Sequence, residues 1–193
     1  SSGLGRCLAF EALRRGYNVV VTARDPNSLT EFSERYPGQA LIQRMDVTKP
    51  EEIQQVIRNV GEAFGPIDVL VNNAGYGYRA AVEEGEAEAV ERLFQTNLFG
   101  PITLTKAVLP DMRRRRSGAI VNIASVAAVV PFPGSGYYAA TKSALESVSD
   151  AMRKELATLN IRVMVVEPGA FRTDFSGRSL KHSARVVEHY AEK

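Results

Sequence analysis

Two hydrophobic periods alternate along this chain, and that alternation limits the fold more than any other feature. Five short runs are almost continuously apolar and rich in β-branched residues: Asn18–Ala23, Ala40–Met45, Asp68–Gly75, Gly118–Ser125 and Ile161–Gly169. Continuous apolarity marks strands buried on both faces, as in parallel sheets. Longer segments with helical spacing lie between them. Leu4, Leu8, Ala12 and Leu13 line one face of the first, and Ile53, Val56, Ile57, Val60 and Phe64 line another. Thr48 is a candidate cap for that second helix, with Pro50 in its first turn. Long helical regions are predicted from Ala87 to Arg115 and from Tyr138 to Leu159. Regular strand–helix alternation gives an α/β fold: a doubly wound parallel sheet with helices on both faces, three layers in all. No repeat or linker interrupts the sequence, so one domain is expected over residues 1–193.

Bulk properties narrow the function classes. Hydrophobic residues make up 45% and charged residues 24%, enough for a sizeable core in 193 residues. A net charge of +2 makes no broad case for nucleic acid or a membrane surface. The run Arg113–Arg116 ends a predicted helix, where it meets terminal carbonyls and solvent rather than forming an anion site. No apolar run approaches the ~20 residues of a membrane span. The single cysteine, Cys7, cannot form an internal disulfide and fits a reducing, cytoplasmic setting. It sits on an apparently apolar helix face and is expected in the core. No metal site is predicted.

Doubly wound sheets bind ligands at the carboxyl ends of their strands. Arg24, Asp46, Asn73–Gly75, Ser125 and Pro168–Gly169 all follow apolar runs. "SSGLG" at Ser1–Gly5 reads as a glycine turn opening a helix, where backbone N–H groups can approach a pyrophosphate. Alone, G-x-G also fits a plain helix start. "GYYAATKSAL" offers two tyrosines and one lysine. Tyr138 and Lys142 have the i, i+4 spacing that stacks side chains on one helical face; Tyr137 is rotated away. A phenol near pKa ~10 is a weak acid or base at neutral pH, and a nearby ammonium lowers that value. No G-x-S-x-G surrounds Ser125, which argues against a serine hydrolase.

Together these motifs resemble the short-chain dehydrogenase/reductase family, over essentially the whole chain. Gly3-Leu4-Gly5 matches the end of its glycine motif, Asn72–Gly75 its N-N-A-G, and Asn97 its catalytic asparagine. Ser125 stands thirteen residues before Tyr138, and Tyr138–Lys142 matches Y-x-x-x-K. Pro168-Gly169, then Thr173, match the segment after the sixth strand.

The resemblance implies a Rossmann-type fold and an oxidoreductase interconverting a carbonyl and an alcohol by hydride transfer. Tyr138 would be the general acid/base, Lys142 would lower its pKa and hold the nicotinamide ribose, and Ser125 would bind the substrate oxygen. Asn97 would position a water leading to Lys142. Cofactor contacts would come from Ser1, Ser2, Gly3, Leu4, Gly5, Asp46, Val47, Asn73, Ala74, Gly75, Tyr138, Lys142, Pro168, Gly169 and Thr173. Arg24 follows the second strand of the family pattern, where arginine selects a 2′-phosphate, so NADP(H) is favoured over NAD(H). Asp25 lies where the general rule expects an acid for a ribose diol.

Val126, Val130, Phe132 and Phe171, with Tyr76 and Tyr78, would line an apolar pocket for a hydrophobic small-molecule carbonyl or alcohol. A homo-oligomer is implied by the family. The alternative from another class is an NADP(H) sensor without turnover, against which the complete catalytic set argues. An extended-branch epimerase or dehydratase is disfavoured by the G-x-G pattern. The family's first and seventh strands have no counterpart here, so the sequence is expected to be truncated at both ends. As it stands it is expected to be unstable and inactive.

Overall fold

The computed structural model describes residues 2–171, 177 and 179–190. In chain order the helices are α1 (Gly3–Arg14), α2 (Thr30–Arg35), α3 (Pro50–Phe64), α4 (Ala87–Phe94), α5 (Gly100–Arg115) and α6 (Gly136–Glu155). The strands are β1 (Val19–Ala23), β2 (Ala40–Arg44), β3 (Val69–Asn72), β4 (Gly77–Arg79), β5 (Gly118–Ile123), β6 (Ile161–Val166) and β7 (Leu180–His182). Every pairing among the described residues is parallel, as continuous apolarity predicts for β1, β2, β3, β5 and β6. β1 pairs with β2, and β3, β5 and β6 form a second ladder in that order. Val69 lies opposite Ala119, and Gly118 opposite Ile161.

Strand side chains alternate between faces, and helices cover both. Val21 packs with Ala9 and Leu13 of α1 and with Leu29 and Phe32 around α2. Its neighbour Val20 packs with Leu41 and Leu70 against Val56 and Val60 of α3 and Leu104 of α5. Ile120 and Val163 meet Val108 and Met112 of α5 and Met152 of α6. Thus α1 and α2 lie on one face and α3, α5 and α6 on the other. Fully buried side chains such as Ile53, Leu93 and Met112 each contribute about 1.5–3 kcal/mol of transfer free energy. On the face opposite Ile120 and Val163, Val69, Met164 and Val166 are exposed.

Several local expectations change. The buried stripe of α1 is Ala9 and Leu13, while Cys7 and Leu8 are exposed. Residues 7 and 8 are rotated off the i, i+4 stripe that meets β1 and α2. Thr48 does not cap α3: Lys49 stands at the cap position without a side-chain bond, and Thr48 bonds to Asp46 instead. The region from Ala87 to Arg115 is not one α-helix. A π turn at Gln95–Phe99 divides α4 from α5. Of the terminal arginines, Arg115 reaches Asp68, Asp111 and the Ile67 carbonyl, and Arg116 donates to the Thr158 carbonyl at 2.7 Å.

The short strands β4 and β7 were not legible beforehand. They pair in register Gly77–Leu180, Tyr78–Lys181 and Arg79–His182. Residues 179–190 thereby form a strap across residues 77–86. Ala184 N and Val187 N donate to the carboxylates of Glu86 and Glu84, both at 2.9 Å.

Candidate active site at the strand carboxyl ends

The site begins where β5 ends. Ser125 is extended, and its Oγ accepts from Ala127 N at 3.2 Å, capping the turn Val126–Ala128. Tyr138 sits in the first turn of α6 and is largely buried. Burial pushes its phenol above the usual value, and a hydrogen bond with the Ser125 side chain pulls the other way. One turn on, Lys142 is only 4% exposed. Its Nζ donates to the Ile123 carbonyl at 2.7 Å and lies 5.9 Å from the Tyr138 ring centroid. Burial lowers the Lys142 ammonium to about 8. Sequence reasoning gives Lys142 the task of lowering the Tyr138 phenol. Here burial raises that phenol, and the ammonium is bonded to a backbone carbonyl.

Asn97 lies in the π turn and is completely buried. Such turns shift side chains relative to an ordinary helix and recur at functional sites. Its Oδ1 accepts from Tyr76 N at 3.1 Å, and its Nδ2 donates to Tyr76 O at 2.9 Å and Thr141 Oγ1 at 3.2 Å. Thr141 Oγ1 donates in turn to Tyr138 O at 2.7 Å. One amide therefore ties the strand exit after β3 to α6. At that exit, a Cβ on Gly75 would stand 3.1 Å from Asn97 Oδ1 and 3.5 Å from Lys142 Nζ. The missing side chain is what lets the backbone pass. Beneath, Asn122 accepts from Asn72 and donates to Ser149 Oγ, both at 2.7 Å, bracing β3, β5 and α6.

Tyr137 has another task. Its hydroxyl donates to Val82 O at 2.7 Å, and its ring fills the space over Gly85. It is Tyr138, not Tyr137, that the Ser125 side chain meets.

The dinucleotide end is assembled from separated segments. Gly5 packs so closely on Asn73 that a Cβ would lie 2.4 Å from its Nδ2. Ser2 makes no side-chain cap, so the first N–H groups of α1 remain for an anion. Leu4 lies in the same turn, and Ala74 is exposed between Asn73 and Gly75. Arg24 is exposed after β1 and makes no ion pair among the described residues. Asp25 is committed: its Oδ1 accepts from Asn27 N at 3.1 Å and caps the turn Pro26–Leu29. Asp46 Oδ1 accepts from Thr48 N and Oγ1 at 2.9 and 2.8 Å. Burial pushes the Asp46 carboxyl up, but Thr48 and Arg24 bring it below its usual value. Val47 is buried, with its carbonyl against Gly100. Pro168 O accepts from Val126 N at 3.2 Å, and Gly169 is exposed beyond β6. Ser1 and Thr173 lie outside the described residues.

At the rim, Val126, Val130, Phe132 and Phe171 are exposed. Tyr78 is not available to a pocket: it is 3% exposed, and its hydroxyl bonds the Glu86 carboxylate. The strap was missed in the sequence because three-residue strands leave no periodicity to read. Among the described residues no helix is long and apolar enough to cross a membrane.

A doubly wound parallel sheet with a glycine turn at one end of its crevice and a Ser–Tyr–Lys–Asn cluster at the other defines a dinucleotide-fold protein. The family model for short chain dehydrogenase matches residues 1–184. Oxidoreductase BOA17 of Botryotinia fuckeliana is 36% identical over 182 residues, covering 94% of this chain and 66% of that protein. A short-chain dehydrogenase structure from Streptomyces avermitilis is similar with a TM-score of 0.94 and 42% identity, covering 100% of this chain and 72% of that one. ElxO with NADP bound has a TM-score of 0.85 and 30% identity, covering 90% and 71%. This chain belongs to the short-chain dehydrogenase family and spans about two thirds of the length of the first of these relatives.

Proposed function

We propose that the protein is an NADP(H)-dependent oxidoreductase that interconverts a ketone or aldehyde with an alcohol. The observation that carries this reading is the Ser125–Tyr138 hydrogen bond at the carboxyl end of β5, with Lys142 and Asn97 buried beside it. A bound nicotinamide would supply or accept the hydride. In the reducing direction, the Ser125 hydroxyl holds the substrate oxygen and Tyr138 donates its proton to it. The raised pKa keeps Tyr138 protonated at neutral pH but makes it a weaker acid, so its proton transfer would rely on the Ser125 hydrogen bond and the nearby Lys142 ammonium to stabilise the phenolate. Lys142 holds the ribose side of the cofactor, and Asn97 braces the turn of α6 that carries Tyr138, through Thr141, and positions a water leading to Lys142. In the reverse direction Tyr138 accepts the alcohol proton.

The residues present fit NADP(H). An uncapped helix start and the close Gly5–Asn73 approach suit a pyrophosphate, and Arg24 is free of ion pairs among the described residues. Asp25, the acid that would favour a ribose diol, is occupied as a cap. The NADP held by the ElxO relative supports the same choice. One domain acting as a cytoplasmic homo-oligomer on a hydrophobic substrate completes the proposal.

The test is a panel of aliphatic and aromatic ketones, aldehydes and alcohols on the full-length protein, following NADPH absorbance. Turnover that vanishes in Tyr138→Phe while NADPH still binds is expected. NADPH binding without turnover of any panel member would favour a sensor. Turnover surviving Tyr138→Phe but lost in Tyr137→Phe would reassign the acid/base.

A further inference from the structure

Arg79 occupies an unusual position on the rim. It is exposed at the end of β4 and makes no ion pair among the described residues. Its stem lies over Gly134: Cγ is 3.3 Å from where a Cβ on that residue would stand. Its neighbour Ala80 donates to Gly134 O at 2.9 Å, and its own carbonyl accepts from Ser183 N at 3.0 Å. The strap and the turn at Gly134 therefore hold the Arg79 backbone from two sides.

The segment that reaches Arg79 starts at the Ser125 hydroxyl. Between Ser125 and Gly134 it exposes Val126, Val129, Val130 and Phe132, at 48–64% each. It is pinned along its length. Val126 N bonds Pro168 O, Ser143 Oγ donates to Ala128 O at 2.6 Å, and Phe132 N donates to Ser135 Oγ at 2.9 Å. An apolar edge pinned through its backbone thus runs from Ser125 towards Gly134, over which the Arg79 stem lies. The acids crossed by the strap, Glu84 and Glu86, point their carboxylates at other donors, not at Arg79. Glu84 is taken by Ala81 N and Val187 N, and Glu86 by Ala184 N and the Tyr78 hydroxyl.

We propose that the substrate is amphipathic: an apolar carbonyl compound or alcohol ending in a carboxylate, with its body along Val126–Phe132 and its carboxylate on Arg79. This rests on the reaction proposed above for Ser125 and Tyr138. Planar, two-point recognition of a carboxylate is what a guanidinium supplies and an ammonium does not. Arg79 would be a specificity residue that touches the far end of the substrate and takes no part in proton transfer.

The probe pair is an oxodecanoic acid and its methyl ester, titrated calorimetrically into the full-length protein loaded with NADP. The acid is expected to bind about tenfold tighter than the ester, the worth of one charge-assisted contact. Arg79→Gln should bring the ratio to about one with NADP affinity unchanged, and Arg79→Lys should restore part of it. Equal binding of acid and ester, a ratio unchanged in Arg79→Gln, or no binding of either would overturn the assignment. Turnover separates the two proposals. If the acid preference appears but neither compound oxidises NADPH, the carboxylate site stands and the proposed reaction fails. If the ester is reduced without any acid preference, the reverse holds.

Discussion

The floor of the crevice and its rim are built on opposite principles. The floor, around Asn97, Asn122, Thr141 and Lys142, is buried and densely hydrogen-bonded. The rim, around Val129, Val130, Phe132 and Arg79, is exposed, and Arg79 is without an ion pair among the described residues. A buried polar network tolerates few substitutions, because each loss strands a partner in a low-dielectric interior. An exposed rim can change at little cost to the fold. The difference teaches that, under the proposed function, proton chemistry and substrate choice would be carried by separable parts of this molecule.

That contrast can be broken, first, at Tyr138. Tyr138→Phe should lower kcat by about 10²–10⁴-fold, the usual share of a general acid, with NADPH binding retained; steady-state kinetics and a cofactor titration check this. Next, Asn122→Leu should cost about 1–3 kcal/mol of stability, read as a lowered urea midpoint, because Asn72 and Ser149 each lose a buried partner and keep only their bonds to Thr105 Oγ1 and the Leu145 carbonyl. A comparably large loss in Val130→Ser, on the rim, would erase the distinction.

Arg24→Ala should weaken NADPH by about tenfold or more while sparing NADH, since the lost contact is a charge-assisted hydrogen bond. An unchanged cofactor ratio would remove Arg24 from the site.

A smaller effect concerns pH. Burial lowers Lys142 from 10.5 to about 8, so the unfolded chain binds more protons than the folded one between those values. Stability carried by this group therefore rises with pH across that window, and the cost of burying the charge is fully present below it. Denaturation at pH 8 and pH 10 should show this rise, and Lys142→Met should lack it. The mildest change is Tyr137→Phe, which removes one hydrogen bond to Val82 O. It should cost about 1 kcal/mol and leave kcat within a small factor.

Strand positions were legible because buried parallel strands leave a continuous apolar signature, and all five predicted runs form strands. Their exits were legible too: Asn73–Gly75, Ser125 and Pro168 follow β3, β5 and β6. The i, i+4 rule separated Tyr138 from Tyr137 before any contact was known. The π turn was not legible, because residues 87–115 keep a helical pattern on either side of it. Nor was the strap, since Ser183 and Ala184 find their partners Glu84 and Glu86 about a hundred residues away.

The sequence by itself determined the parallel α/β architecture, the glycine turn and the one-face alignment of Tyr138 with Lys142. These follow from helix and strand periods, which act over a few residues. Only the tertiary structure decided that Lys142 bonds the Ile123 carbonyl, that burial raises rather than lowers the Tyr138 phenol, and that Arg79 stands at the far end of an apolar edge. Those outcomes depend on which distant groups are brought together and shut away from water, and no local period encodes that.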